Sequence, residues 1–325
     1  EPEVGELLKT NQFCDTYIIG DAEHKLVEWL RDHTVDYSGV GRRVIDSNWT
    51  ETPYADFHDL DIHNYEYHKG LTLPMTGSKG CVRKCTFCDI PHNFGAFSFK
   101  KGRSIADEVI HLYETYGAKT IYFTDSLVNG SLRAFIDYVE TLADLKQKKG
   151  YHDIKWTGQY IVRPSHQIPD PTNYYALLRD SGAEGLTIGV ESGSNKVLAD
   201  MKKKCTVDDI YTEINYFSDY DISCGLLLFP AFPTETREDF METVNMMKNL
   251  QPYWCNGTIN LVNFNVYYGN ESYSEWGKKT EEDGMYSHPQ DNALWWYRHN
   301  PDLDYKEMVF RRLVLNAIVK KLNIP

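Results

Sequence analysis

Three thiols stand four and three residues apart in Gly80-Cys81-Val82-Arg83-Lys84-Cys85-Thr86-Phe87-Cys88. A loop of that length can wrap a cubane so that three irons each take one thiolate and the fourth iron stays open. An open iron beside a pocket can chelate the amino and carboxylate groups of a methionine moiety, and an electron passed from the cluster can then break a sulfonium carbon bond. Gly80 lets the backbone come close to such a cluster, and Phe87 can shield one side of it. The spacing also admits structural zinc, because His92 lies four residues after Cys88 and would complete a Cys3His set. The other thiols, Cys14, Cys205, Cys224 and Cys255, are scattered and read as core or surface residues.

The elements that must position this loop are legible in the period of the chain. Between residues 71 and 267 short β-rich runs alternate with amphipathic stretches, the pattern of βα units around a parallel sheet. Six strands are expected, at 71–76, 120–124, 154–162, 186–190, 224–229 and 259–266. Ser104 with Asp107, Thr206 with Asp209 and Thr236 with Asp239 have capping-box spacing. Ile105, Val109, Leu112, Tyr113 and Tyr116 then place one apolar stripe on the first of these helices. Such units form either an open doubly wound sheet or a partial barrel, and periodicity does not separate the two. In both, chemistry belongs at the C-terminal ends of the strands. A structural zinc knuckle has no reason to sit at the mouth of the first strand, whereas a catalytic cluster does.

With 34 basic against 47 acidic side chains, a net charge of -13 argues against a broad electrostatic grip on nucleic acid and favours a small-molecule or protein substrate. No apolar run reaches the roughly eighteen residues of a membrane span, and no secretory signal is visible. The odd cysteine count in a signal-free chain suits a cytoplasmic thiol protein with a metal or redox site. The chain opens at Glu1 and not at Met, as an internal position of a longer protein would.

The Cys-x3-Cys-x-aromatic-Cys loop after a first strand resembles the radical S-adenosylmethionine superfamily, closest to its cobalamin-dependent branch. The resemblance covers about residues 71–267 and implies a partial (β/α)6 TIM-like barrel of the α/β class. It implies a [4Fe-4S] cluster on Cys81, Cys85 and Cys88, with S-adenosylmethionine bound at the open iron. Reductive cleavage to a 5′-deoxyadenosyl radical would follow, with hydrogen abstraction from an unidentified substrate and an electron donor of flavodoxin or ferredoxin type. Cobalamin-dependent methyl transfer is left open, with cobalamin as a further cofactor.

The cofactor residues implied are Phe87 beside the cluster, Thr124, Asp125 and Ser126 after the second strand, Gln159 and Arg163 on the third, and Glu191 with Ser192 after the fourth. Gly189-Val190-Glu191-Ser192-Gly193-Ser194 is similar to the branch's Gly-x-Glu-Ser-Gly-Ser signature, in which the carboxylate would accept from the ribose hydroxyls. Asp125 reads equally as a helix cap, Arg163 as a structural ion pair, and Gly193 with Ser194 as turn and N-cap residues. Two departures stand out. Ala231 and Thr234 replace the glycines of the family's Gly-x-Pro-Gly-Glu-Thr turn, and Lys79 stands where relatives commonly have Arg.

Residues 1–70 are expected to be a remnant of a cobalamin-binding-like domain plus linker, with a strand at 16–19 and a helix at 22–30. No Asp-x-His-x-x-Gly ligand motif accompanies them. Residues 268–325 form an aromatic-rich extension ending in a helix on which Phe310, Leu313, Val314 and Ala317 share a face. Two other readings stand beside the radical enzyme with its unknown substrate. One is a methylthiotransferase-like enzyme, which would need a second three-cysteine cluster. The other is a non-catalytic metal-binding adaptor that docks through Trp295, Trp296 and Tyr297.

Overall fold

Backbone periodicity and burial agree along most of the chain. The computed structural model describes residues 22–32, 49–65, 70–94, 96–250, 257–262, 264, 271–272 and 303–321. The chain divides into two compact units, Glu1–Asp56 and Phe57–Pro325. In the first, helix α1 (Glu23–Arg31) matches the expected helix and has no buried residue. The expected strand at 16–19, Cys14, Cys255 and the aromatic run at 295–297 lie outside the described residues.

The second unit is built on parallel strands β1 (Thr72–Met75), β4 (Thr120–Phe123), β5 (Lys155–Thr157), β6 (Gln159–Tyr160), β7 (Leu186–Glu191), β8 (Cys224–Leu228) and β9 (Thr258–Leu261). A short ribbon, β2 (Ser78–Lys79) with β3 (Ser98–Phe99), pairs antiparallel between β1 and β4. Pairing runs β1-β4-β5 and β6-β7-β8-β9. β5 and β6 are one expected strand broken at Gly158, where a Cβ would stand 2.7 Å from Val128 Cγ1. The break does not part the sheet, since Gly158 O still accepts from Thr187 N–H at 3.0 Å. All six expected strand positions are thus strands, and β1 is not paired with β9, so the arc stays open among the described residues.

Side-chain alternation decides between the two sheet architectures. Leu73, Met75, Ile121, Phe123, Trp156, Tyr160, Ile188 and Leu226 are buried on one face. On the other, Pro74, Tyr122, Thr157, Gln159 and Thr187 are exposed or half-buried. A doubly wound sheet has helices on both faces and apolar strands throughout. Here one face is polar and open, which is the inside of a partial barrel.

Helices α2 (Ile90–Phe94), α3 (Gly102–Tyr116), α4 (Leu132–Lys149), α5 (Pro171–Ser181), α6 (Asn195–Asp200), α7 (Val207–Asp219), α8 (Arg237–Leu250) and α9 (Tyr305–Lys321) complete the unit. Thr206 and Asp209 form the expected capping box of α7, and Thr236 and Asp239 exchange the same pair of bonds at α8. Ser104 does not cap α3, which begins two residues earlier. The cap comes instead from α4, where Asp137 Oδ2 accepts from Arg103 N–H at 3.0 Å, and Gly102 is pressed so close to Ala134 that no side chain fits. The stripe Ile105, Val109 and Leu112 is buried as expected, while the Tyr116 hydroxyl oxygen accepts Phe57 N–H at 3.0 Å and lies 3.1 Å from His58 Nδ1. Residues 57–62, expected as linker, therefore dock on α3, with Ile62 in the core.

One buried carboxyl gives the fold a pH dependence. Glu213 on α7 accepts the Tyr160 and Tyr175 hydroxyls at 2.9 and 2.8 Å, both on Oε1. Burial pushes its pKa up from 4.5 to about 7, although these hydroxyls pull it back. The folded chain therefore holds this proton more tightly than the unfolded one between those values, so stability falls as pH rises through that window and levels off above it. Glu213→Gln keeps the Oε1 acceptor and removes the titration. Urea unfolding should show the variant gaining on the parent by on the order of 2 kcal/mol between pH 4.5 and 7.5. Parallel stability curves would contradict this account.

Candidate active site at the strand ends

The cysteine loop leaves β1 through Thr76 and Gly77 and is closed at its base by the β2–β3 ribbon, with Lys79 paired to Ser98 and Lys100 N–H on Gly77 O at 2.9 Å. Gly80 takes φ +78°, and a Cβ there would stand 3.3 Å from Ala96 O, so glycine is required at the turn. Cys81, Cys85 and Cys88 are free and half-buried. Arg83 N–H donates to Cys81 Sγ at 3.3 Å, and Cys88 N–H to Cys85 O at 3.1 Å. The Arg83 guanidinium anchors the loop across the barrel, on Lys204 O at 2.9 Å and Val162 O at 3.1 Å. Thr86 extends that anchoring through its N–H on Met201 O and its carbonyl under Ser272 N–H.

The donor set suits a cubane. Three free thiols on one loop are the ligand type of an iron–sulfur cluster, in which each thiolate takes a different iron. The His92 side chain lies outside the described residues. Thr86 Oγ1 is buried without a protein partner, leaving a hydroxyl beside the thiols for a sulfur acceptor. Burial pushes all three thiols up, Cys88 to about 11, while Lys203 and Arg83 pull Cys81 and Cys85 partly back. Metal binding must therefore displace protons.

Asp125 follows β4 and faces the base of this loop. Its Oδ1 accepts Gly77 N–H at 2.8 Å and its Oδ2 accepts Ser78 O–H at 2.6 Å. Burial pushes its carboxyl up to about 6 against these bonds. As placed, both oxygens hold the turn that launches the cysteines and neither is turned to the open face. Thr124 is exposed there, its hydroxyl shared with Thr76 Oγ1 at 2.8 Å, and Ser126 is half-buried beside it.

The β7 end explains its own sequence. A bulge between Gly189 and Glu191 puts Glu191 at φ 68°, a left-handed conformation that costs a non-glycine residue of order 1 kcal/mol or more. The carboxylate folds back over Gly189, where a Cβ would collide with Oε1. Lys203 Nζ meets that oxygen at 3.0 Å and sits 5.9 Å over the Phe87 ring. Burial alone would pull the Lys203 ammonium down, but Glu191 and the nearby thiols carry it up. The charge of Glu191 is thus matched beside the cysteine loop. Lys203 lies beyond the short helix α6 and belongs to no period, so sequence reasoning missed it.

Ser194 stands at the N-cap position of α6 but its hydroxyl makes no cap bond to that helix. Ser192 Oγ accepts Ser194 N–H at 3.2 Å, and Ser194 O–H donates to Asp239 at 2.7 Å. Gln159 projects from β6 toward the open face, half-buried. Arg163 lies past the strand end with its guanidinium on Asn129 O and Gly130 O, the latter at 2.6 Å. In this placement it bonds backbone carbonyls of the loop after β4 and forms, among the described residues, neither the cofactor contact nor the ion pair expected of it. Phe87 packs edge-on against Phe229 at 5.0 Å.

A six-stranded parallel arc with a three-thiol loop after its first strand defines a class of cluster-bearing partial barrel. The family model "Radical SAM superfamily" matches residues 75–247, and the chain belongs to that superfamily. Its members are enzymes that use a [4Fe-4S] cluster and S-adenosylmethionine, so the zinc and adaptor readings fall away. They need a reductant and a substrate.

The tRNA-2-methylthio-N(6)-dimethylallyladenosine synthase of Chromohalobacter salexigens is 28% identical over 188 residues, 56% of this chain and 41% of the relative. Its counterpart from Bartonella quintana is 28% identical over 268 residues, 77% of this chain and 54% of the relative. The chain thus spans about half the length of these curated relatives. Among solved structures, the radical S-adenosylmethionine methyltransferase TsrM of Kitasatospora setae, with cobalamin and a [4Fe-4S] cluster bound, superposes with TM-score 0.62 at 16% identity, covering 78% of this chain and 54% of that one. The cobalamin-dependent enzyme OxsB gives TM-score 0.63 at 16% identity, covering 84% and 46%. These likenesses are of fold. No described helix is long and apolar enough to cross a membrane.

Proposed function

We propose that residues 71–267 are a radical-generating core that holds its cluster on Cys81, Cys85 and Cys88 and binds S-adenosylmethionine along the strand ends. A cluster held there would supply one electron to S-adenosylmethionine, breaking its sulfonium S–C5′ bond to give methionine and a 5′-deoxyadenosyl radical able to abstract hydrogen from a substrate. Around it, Asp125 fixes the Gly77–Ser78 turn, Thr86 offers a hydroxyl to sulfur, and Phe87 covers the loop's flank. Glu191 is the ribose acceptor, and Lys203 pairs with its Oε1. Thr124, Ser126, Gln159 and Ser192 line or support the cofactor groove, and Arg163 acts through the β4 loop. The observation that carries this reading is the convergence of the thiol loop and the Glu191–Lys203 pair, bridged by Phe87.

The substrate side is the polar inner face, where Tyr122, Thr157, Gln159 and Thr187 offer hydrogen bonds without charge. In this reading a low-potential flavodoxin- or ferredoxin-like protein supplies the electron, residues 1–70 are a cobalamin-domain remnant with linker, and residues 268–325 shape the substrate side. Cobalamin-dependent methyl transfer is favoured by the fold neighbours. Methylthio transfer is the second reading, favoured by the curated relatives' names.

Anaerobic reconstitution with iron and sulfide tests the proposal. Dithionite plus S-adenosylmethionine should release 5′-deoxyadenosine from protein carrying roughly four irons per chain. Roughly eight irons would favour the methylthiotransferase reading, and a preparation that takes only zinc would refute both.

A further inference from the structure

Helix α9 sends one charged side chain into the interior. Arg311 is 1% exposed, and its Nη1 donates to Glu235 Oε2 at 2.8 Å while its Nε donates to Glu307 Oε1 at 2.9 Å. Its guanidinium carbon lies 5.1 Å from the centre of the Phe240 ring. The same helix buries Leu315 and packs Val314, Ile318 and Val319 on the core, while Phe310 and Leu313 of the expected face stay exposed. A buried ion pair is weak evidence of stabilisation, so its position is what matters.

That position is the back of the Glu191 turn. Glu235 is itself 4% exposed, and its other oxygen, Oε1, receives the Ser192 hydroxyl at 3.5 Å. Ser192 follows Glu191 directly and shares its hydroxyl with Thr243 Oγ1 at 3.2 Å, and the same Thr243 oxygen accepts Gly193 N–H at 2.8 Å. Phe229 N–H completes the frame on Glu191 O at 2.9 Å. Glu191 is held at positive φ only because its surroundings over-determine it. The Oε1 of Glu235 must stay an acceptor for Ser192 to keep its orientation; burial pushes this carboxyl up to about 8, and the Arg311 guanidinium on Oε2 pulls it back and fixes its placement.

We propose that Arg311 is a positioning residue for the cofactor site, fixing the Glu191 turn through Glu235 and Ser192 and making the C-terminal helix part of S-adenosylmethionine binding. This rests on Glu191 being a cofactor ligand. Removing Arg311 alone leaves a buried carboxyl without its cation and would disturb any protein, so loss of stability is not the informative readout.

The test compares reconstituted wild type with Arg311→Met, Arg311→Lys, Glu235→Gln/Arg311→Met and Glu191→Ala, measuring S-adenosylhomocysteine affinity by calorimetry, urea midpoint and iron content. Arg311→Met should bind at least tenfold more weakly with iron content unchanged. The double variant should regain much of the lost unfolding midpoint yet still bind several-fold more weakly than wild type. Arg311→Lys, which keeps the charge but cannot span Glu235 and Glu307 together, should fold and bind with an intermediate affinity. Wild-type affinity in the double variant and in Arg311→Lys would overturn the proposal and leave Arg311 a purely structural residue. Unchanged affinity in Glu191→Ala would instead overturn the ligand reading of Glu191, whereas weakened Glu191→Ala beside unaffected Arg311 variants would overturn the positioning role alone.

Discussion

Cys85→Ser should reduce reconstituted iron from roughly four atoms per chain toward zero and bring 5′-deoxyadenosine release down to background. A serine hydroxyl cannot deprotonate near neutral pH as a thiol beside metal does, so one of three anchors is lost. Cys85 is the informative position because a second thiol is close by. Cys205 raises no metal motif in the sequence, yet it is half-buried and shares the field of Cys85, Lys203 and Arg83. If Cys205 could substitute, Cys85→Ser would retain iron and only Cys85→Ser/Cys205→Ser would lose it. The backbone argues otherwise. Cys81, Cys85 and Cys88 ride on one loop whose base is clamped by Ser78 and Phe99, while Cys205 belongs to the run leading into α7. Cys205→Ser should accordingly keep full iron and full cleavage, and iron retained by Cys85→Ser would refute the three-thiol site.

The strands were legible because each carries its own period of two, with Leu73 and Met75 or Ile121 and Phe123 facing the helices. The Thr206 and Thr236 caps were legible because both partners lie within one turn. What the sequence hid was long-range compensation. Ser104 looks like a cap, but Asp137 from the neighbouring helix caps α3 instead, and only packing at Gly102 makes that geometry available. The strand at 154–162 reads as continuous, yet Gly158 must stay bare against Val128. At the site, residue type and position after a strand singled out Asp125 and Glu191 but not the direction in which they point. Asp125 turns inward to Gly77 and Ser78, which leave it no charge partner of opposite sign in the motif itself. Glu191 pairs with Lys203, and the C-terminal helix turns Arg311 and Leu315 inward and not Phe310, with partners far away in the chain that no local period announces.

The two glycines of the β7 signature should separate binding from folding. A methyl added at Gly189 meets the Glu191 Oε1 and, at 3.1 Å, Lys203 Nζ, the far ends of two flexible side chains. These can retreat, and alanine in a strand also loses less entropy on folding than glycine, so Gly189→Ala should change stability by less than about 1 kcal/mol. The carboxylate must leave its place to make room, so S-adenosylmethionine affinity should fall by at least about tenfold, or about 1.4 kcal/mol. A methyl at Gly193 meets Thr243 Cα at 2.6 Å and Glu242 O at 3.0 Å. Those atoms are backbone of α8, and moving them breaks the Gly193–Thr243 and Ser194–Asp239 bonds together. Gly193→Ala should therefore cost about 2–3 kcal/mol of stability by urea unfolding. Equal stability losses in the two variants, or wild-type affinity in Gly189→Ala, would show that Glu191 is not held over the strand as a ligand.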